Sequence, residues 1–265
     1  VSYNKKIIRT NSTLEIWEYE KIINSKNSSV EKDESTKERK KKRDFDELSD
    51  EEQQERLKRI SKTRKNSRWE VMRLVDTNFS DRTSFLTLTT KENIQDRNTF
   101  NLLFDKFIKR LNYKIYKTKK RLLKYLAVLE KQQRGAWHVH IILFDIPFIP
   151  HKELLKLWGL GGVWINKIKE LDSVENYGRY VSKYMEKGIG QELLESYGKK
   201  AYYSSRNLKK PDVIKITSSD ELEDIIDIDK ILYETEYTGK VFRDGKLIDN
   251  KVKYTKVKLR RTDND

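Results

Sequence analysis

Apolar positions along this 265-residue chain fall into short, separated clusters whose spacing changes from two to three or four and back. The stretch TSFLTLTT, Thr83 to Thr90, is rich in β-branched and apolar residues and predicts a strand. Phe100, Leu103, Phe104, Phe107, Ile108 and Leu111 then recur at helical spacing, which predicts an amphipathic helix with one buried face. KYLAVLEKQ and AWHVHIILF, separated by QRG, predict a β-hairpin with Gly135 at its turn. After Pro147 and Pro150 come a short helix, HKELLKLW, a glycine turn, GLGG, and a strand, VWINKI. A longer helix, DSVENYGRYVSKYMEKG, is ended by Gly188. This order predicts an α+β domain: a central antiparallel sheet of about five strands with helices packed on it.

The rest of the chain has a different texture. From Asn24 to Asn66 large apolar residues are few and charges of both signs are dense, so no packed core is expected there. Within it, DELSDEEQQERLKRI has the form of a capped helix: Ser49, then acidic residues, then basic ones, as the helix dipole favours. The run Lys37 to Arg43 suits either contact with phosphates or simple solubilisation. Three regions are therefore expected. Residues 1–68 form a basic, charge-rich extension, partly flexible or helical, and residues 69–211 form the main domain. Residues 212–265 form a small β-rich appendage, with a hairpin signal at Asp244-Gly245 and a basic end, KVKYTKVKLRR.

Composition narrows the function classes. Lysine and arginine number 57 against 42 acidic residues, a formal net charge of +15, which makes a polyanion the natural partner. There is no cysteine, which excludes disulfides, thiolate metal sites and a cysteine nucleophile. No apolar run is long enough for a membrane span and the N-terminus lacks an apolar signal core, so a cytoplasmic protein with no membrane partner is expected.

Candidate chemistry sits in GAWHVHIILF. Strand side chains alternate, so His138 and His140 share one face while Val139 and Ile141 point to the other. Pairing about a turn at Arg134-Gly135 brings Glu130 opposite the stretch from His138 to His140. Two readings stand at this level: ordinary hydrogen-bonded strand histidines, or two imidazoles and a carboxylate holding a divalent cation. On the long helix, Tyr180 and Tyr184 lie four apart on one face, with Tyr177, Lys183 and Lys187 adjoining, which fits either core packing or a shared site. His151, at a helix start, and Trp137, on the opposite strand face, read as structural.

FLTLT, an acidic residue ahead of RGAWHVHIILF, and YVSKYMEK, in that order and on those elements, resemble the HUH endonucleases, named for their His-hydrophobic-His strand. Within them the chain is most similar to the rolling-circle replication initiators of small phages and plasmids, over about Trp69 to Pro211, since SSRNLKKP resembles the end of that domain. The resemblance implies that His138 and His140 bind Mg2+ or Mn2+ with Glu130 as third ligand. It implies Tyr180 as nucleophile, Lys183 as its accompanying lysine and Tyr184 as the second tyrosine of the phage-type members. The implied activity is nicking and joining of single-stranded DNA at a replication origin through a 5′-phosphotyrosine, in a bacterial cell and on a plasmid or phage replicon. Single-stranded or hairpin origin DNA is the implied substrate. No phosphate-binding loop Gly-x-x-x-x-Gly-Lys-Ser/Thr is present, so a separate host or phage helicase and a polymerase are the expected partners. Two alternatives are a conjugative relaxase or single-strand DNA transposase with the same chemistry, and a noncatalytic single-strand-binding protein whose aromatic rings stack on bases.

Overall fold

The computed structural model describes residues 2–24, 43–166, 200–218, 228–243 and 246–259. In chain order the elements are β1 (Ser2–Arg9), β2 (Thr13–Asn24), α1 (Asp50–Asn78), β3 (Ser84–Leu88), α2 (Arg97–Tyr116), β4 (Lys124–Lys131) and β5 (Trp137–Phe144). They continue with α3 (His151–Trp158), β6 (Val163–Asn166), β7 (Tyr203–Ser204), β8 (Asp212–Ile216), β9 (Ile228–Arg243) and β10 (Lys246–Leu259). The chain divides into two compact units, one of Val1–Lys42 with Lys210–Asp265, the other of Arg43–Lys209.

The unit 43–209 is α+β, as expected. Its five-stranded sheet runs β6-β3-β5-β4-β7, with every described pairing antiparallel. β5 is apolar almost throughout because both of its faces are covered. On one side Val139, Ile141 and Leu143 meet Phe100, Phe107 and Leu111 of α2 and Trp158 of α3. On the other, Ile142 and Phe144 join Phe85, Leu126 and Val128 under Val71, Leu74 and Val75 of α1. Phe107 has no exposed surface, so Phe107→Ala should remove about 3–5 kcal/mol, transfer and cavity costs together, and move the urea midpoint of this unit markedly down.

Helix α1 is longer than its sequence pattern predicts. It starts at the expected cap, where the Ser49 side chain accepts from Glu52 N–H and the Glu52 carboxylate accepts from Ser49 N–H. It then runs without a break into the segment around Trp69, where the pattern places the start of the main domain. The polar first half and the core-packing second half are one helix: no glycine or proline interrupts them, and only Val71, Leu74 and Val75 have a sheet to bury against.

The second unit holds the other sheet, ordered β8-β1-β2-β10-β9 and again antiparallel. Residues 2–24, which composition groups with the charged extension, are strands here, hydrogen-bonded on both sides to strands of the segment 212–259. Alternation explains them: Ile7, Leu14 and Ile16 meet Val257 in a small apolar cluster while their neighbours are polar. The C-terminal strands are thus completed by the N-terminus. β9 and β10 pair from Arg243 opposite Lys246 onward; the turn residues Asp244 and Gly245 lie outside the described residues.

Candidate metal centre

The β4–β5 hairpin builds the site. Its turn closes with Gly135 N–H donating to Gln132 O at 2.8 Å and Gln132 N–H donating to Ala136 O at 2.8 Å. Gly135 has φ +84°, a left-handed backbone that favours glycine, and a Cβ there would press on the Gln95 side chain at 3.1 Å. The segment before α2 clasps the turn: Asn93 Nδ2 donates to Arg134 O and Trp137 N–H to Ile94 O. That fixes the register at Glu130 opposite His138 and Val128 opposite His140. A slip of one residue would carry both imidazoles into the α2 face, so the turn decides where the chemistry lies.

Three atoms converge on the α1 side of the sheet. His138 Nε2 is 2.6 Å and His140 Nε2 2.8 Å from Glu130 Oε2, and the two nitrogens are 3.2 Å apart. Glu130, His138 and His140 are the group among the described residues that can hold a metal ion. Adjacent corners of an octahedron with metal–ligand bonds near 2.1 Å are about 3 Å apart, so this triangle has the size of a facial set. Its donor types suit a divalent cation with open positions: two neutral nitrogens and one anionic oxygen. Burial alone would raise the Glu130 carboxyl, but hydrogen bonds from His138 and His140 and their charge outweigh it and hold the group well below the ordinary carboxylate range. The ligand oxygen is therefore ionised at neutral pH.

The supports of the two histidines differ. His140 is buried, its ring stacked 6.1 Å from Phe85, and its Nδ1 lies 3.0 Å from Thr87 Oγ1 on the neighbouring strand. Each Nε2–H donates to Glu130 Oε2 as the residues stand; ligation needs Nε2 without its proton, and Nδ1–H of His140 then donates to Thr87. His138 Nδ1 is buried and has no hydrogen-bond partner among the described residues. Thr87→Val, which keeps shape and removes the hydroxyl, should weaken Mn2+ binding about tenfold by titration calorimetry while leaving the fold unchanged.

Around the triangle lies a cavity of about 820 Å³, bordered by Thr89, Glu130, His138, the segment 131–134 and Trp164. Trp164 is opposite Thr87 in the β3–β6 pairing, which sets its side chain on the same sheet face as the metal ligands, and it is 54% exposed. Its ring lies so close over Gly162 that a Cβ there would collide with it. Thr87 and Trp164 are the site residues that motif reasoning missed. Strand alternation was the available signal, since Thr87 is two residues from Phe85 and Trp164 pairs with it.

The remaining expectations find their places. Trp137 is buried on the α2 side, its indole N–H donating to Gln95 O at 2.8 Å. His151 Nε2–H donates to Val163 O at 2.7 Å, away from the cluster. Tyr180, Lys183 and Tyr184 lie outside the described residues. Across the sheet, α2 and the segment after it border a cavity of about 1690 Å³ rich in cations, among them Lys109, Arg110, Lys117, Lys119, Arg121 and Arg206. The one acid among its described lining residues, Asp105, is already held by Lys109 at 2.7 Å and Arg121 at 3.4 Å.

Comparison with known proteins adds one finding. Residues 83–189 match the family model of the replication-associated protein ORF2. The matched span is less than half the chain; it begins at the edge of β3 and contains Glu130, His138 and His140. Neither the curated proteins nor the solved structures give a match. Over this span the chain is similar to replication-associated proteins, and among the described residues no helix is long and apolar enough to cross a membrane.

Proposed function

We propose that this protein initiates rolling-circle DNA replication by nicking and rejoining single-stranded DNA at an origin, as an HUH-type endonuclease. The convergence of Glu130, His138 and His140 within 3.2 Å carries the reading, and the match of residues 83–189 to a replication-associated family supports it. Mn2+ or Mg2+ held by these three residues would supply Lewis-acid polarisation of a non-bridging phosphate oxygen.

The protein's own groups do the rest. Tyr180 attacks the scissile phosphorus through its phenolic oxygen; a P–O bond forms to the tyrosine, the bond to the 3′ oxygen breaks, and that oxygen takes up a proton as the primer hydroxyl. Lys183 accompanies the phosphate charge or the departing phenolic proton. The 5′-phosphotyrosine retains the energy of the broken linkage, so a second attack, by a DNA 3′-hydroxyl, rejoins strands without ATP. Tyr184 serves a second cleavage. Arg134 and Lys131, beside the cavity at the triangle, suit the flanking phosphates, and the exposed Trp164 ring suits an unpaired base. A host or phage helicase and polymerase complete the replication reaction.

A panel of single-stranded oligonucleotides tests the assignment within this chemistry. Origin strands from rolling-circle replicons should be nicked in preference to transfer origins and transposon-end hairpins. Preference for either of the latter would make the protein a relaxase or a transposase instead.

A further inference from the structure

The sheet of the unit formed by the two chain ends has faces of different chemistry. Cross-strand register sets Lys215 of β8, Lys6 of β1, Trp17 of β2, Tyr254 of β10 and Thr235 of β9 in one row on one face. Their contacts confirm it: the Trp17 and Tyr254 rings are 5.0 Å apart, Tyr233 is 6.1 Å from Tyr254, and the Lys6 ammonium sits 4.9 Å over the Trp17 ring. Two residues along the strands, a second row brings Tyr19 opposite Val252 and Val252 opposite Tyr237. Tyr3 joins them through the bulge between Tyr3 and Lys5, its ring 5.9 Å from Tyr19 and 4.9 Å under the Lys215 ammonium.

Charge separates the two faces as well. On the other face lysines are matched by acids, Lys5 with Glu18 at 3.0 Å and Lys253 with Glu234 at 3.3 Å. On the aromatic face the register places Lys6, Lys215 and Lys256 beside a single acid of the same rows, Glu15, which is buried and accepts from the Tyr254 hydroxyl at 3.2 Å. Tyr233 and Tyr237 are 56% and 47% exposed, far more than packing in a core would leave. Aromatic rings in rows two residues apart, flanked by lysines, present flat surfaces about 7 Å apart along the strands, a spacing that an extended single strand can follow base by base. A duplex offers no free base faces to such a surface, and an anionic lipid surface has no use for the rings' spacing.

We propose that this aromatic and lysine face is a second binding site, specific for single-stranded nucleic acid and independent of sequence, separate from the metal centre. It takes the polyanion partner of the proposed function as its occupant, and so rests on the nucleic-acid part of that reading, though not on the nicking chemistry. Bases stack on Tyr233, Tyr237 and the Trp17–Tyr254 pair, and Lys215 and Lys6 meet phosphates. The face holds the strand in a way that tolerates any base, because every base has a π-face.

The test uses the full chain in chelator, so that nothing is cleaved, and a fluorescent oligothymidylate of about 12 nucleotides. Tyr233→Ala with Tyr237→Ala should weaken binding tenfold or more by anisotropy, whereas Tyr233→Phe with Tyr237→Phe should stay within about twofold of the parent, since the rings remain. Lys215→Glu, on an edge strand, should weaken binding and lower the steepness of its salt dependence by about 0.7 or more. His138→Ala should bind this oligonucleotide like the parent. Unchanged binding in the double alanine variant, equal affinity for a duplex of the same length, or displacement of the oligonucleotide by phosphatidylserine vesicles as effectively as by unlabelled single strand would overturn the site. The two proposals fail separately. A double alanine variant that binds normally in a protein that nicks removes the platform alone, and lost binding in a protein that never nicks removes the nicking reading alone.

Discussion

Replacing His138 with alanine is expected to cost at least about 100-fold in Mn2+ affinity, because even outer-shell partners of metal ligands are worth 10- to 100-fold. Nicking should fall by about 10²–10³, the usual loss when one electrostatic stabiliser of a transition state is removed. The geometry makes the case. His138 Nε2 is one corner of a triangle with sides of 2.6, 2.8 and 3.2 Å, and two corners cannot orient a cation. Glu130→Gln is the sharper companion, since it keeps the side chain's shape and removes the charge that the two imidazoles hold ionised. Both variants should retain the parent's circular dichroism, because both side chains lie at the open end of the sheet face, beyond the cluster of Phe85, Leu126, Ile142 and Phe144 under α1. A His138→Ala protein that bound Mn2+ and nicked normally would remove the cation from the mechanism.

Tyr180→Phe is expected to abolish the covalent protein–DNA species while leaving Mn2+ affinity and oligonucleotide binding unchanged. Only the phenolic oxygen can form the new P–O bond, and phenylalanine keeps the ring without it. Tyr184→Phe should spare the first cleavage and impair a second one. A phenol is a poor nucleophile at neutral pH until it loses its proton, so Lys183→Ala should slow adduct formation without changing where the strand is cut. Persistence of the adduct in the Tyr180 variant would move the nucleophile elsewhere, first to Tyr184.

Much of the nuclease-like unit was legible in the sequence because its signals are local. α3 spans the residues of HKELLKLW, and the hairpin turns at a glycine whose left-handed backbone explains its presence. From that turn, counting back to Glu130 is arithmetic, and strand alternation puts it beside the histidines. Thr87 and Trp164 escaped because each belongs to the site through a neighbouring strand; only the sheet order β6-β3-β5 brings them near His140. The N-terminal strands escaped for a different reason. Their partners are about 200 residues away, and their lysines and glutamates read as a solvated extension unless the alternation of Ile7, Leu14 and Ile16 is weighed over the charge. Helix α1 was recognised at its cap but not along its length, since its outer half owes nothing to a core and its inner half depends on a sheet that the local pattern does not show.

The central claim is that the triangle of Glu130, His138 and His140 directs a strand transfer that leaves DNA on the protein. One denaturing gel tests it most directly: full-length protein with a labelled single-stranded origin oligonucleotide, with Mn2+ and with chelator. The account predicts a labelled band at the mass of the protein plus DNA with the metal and none in chelator. An oligonucleotide that stays intact and free of protein in both lanes, or an adduct that forms equally well in chelator, would contradict it.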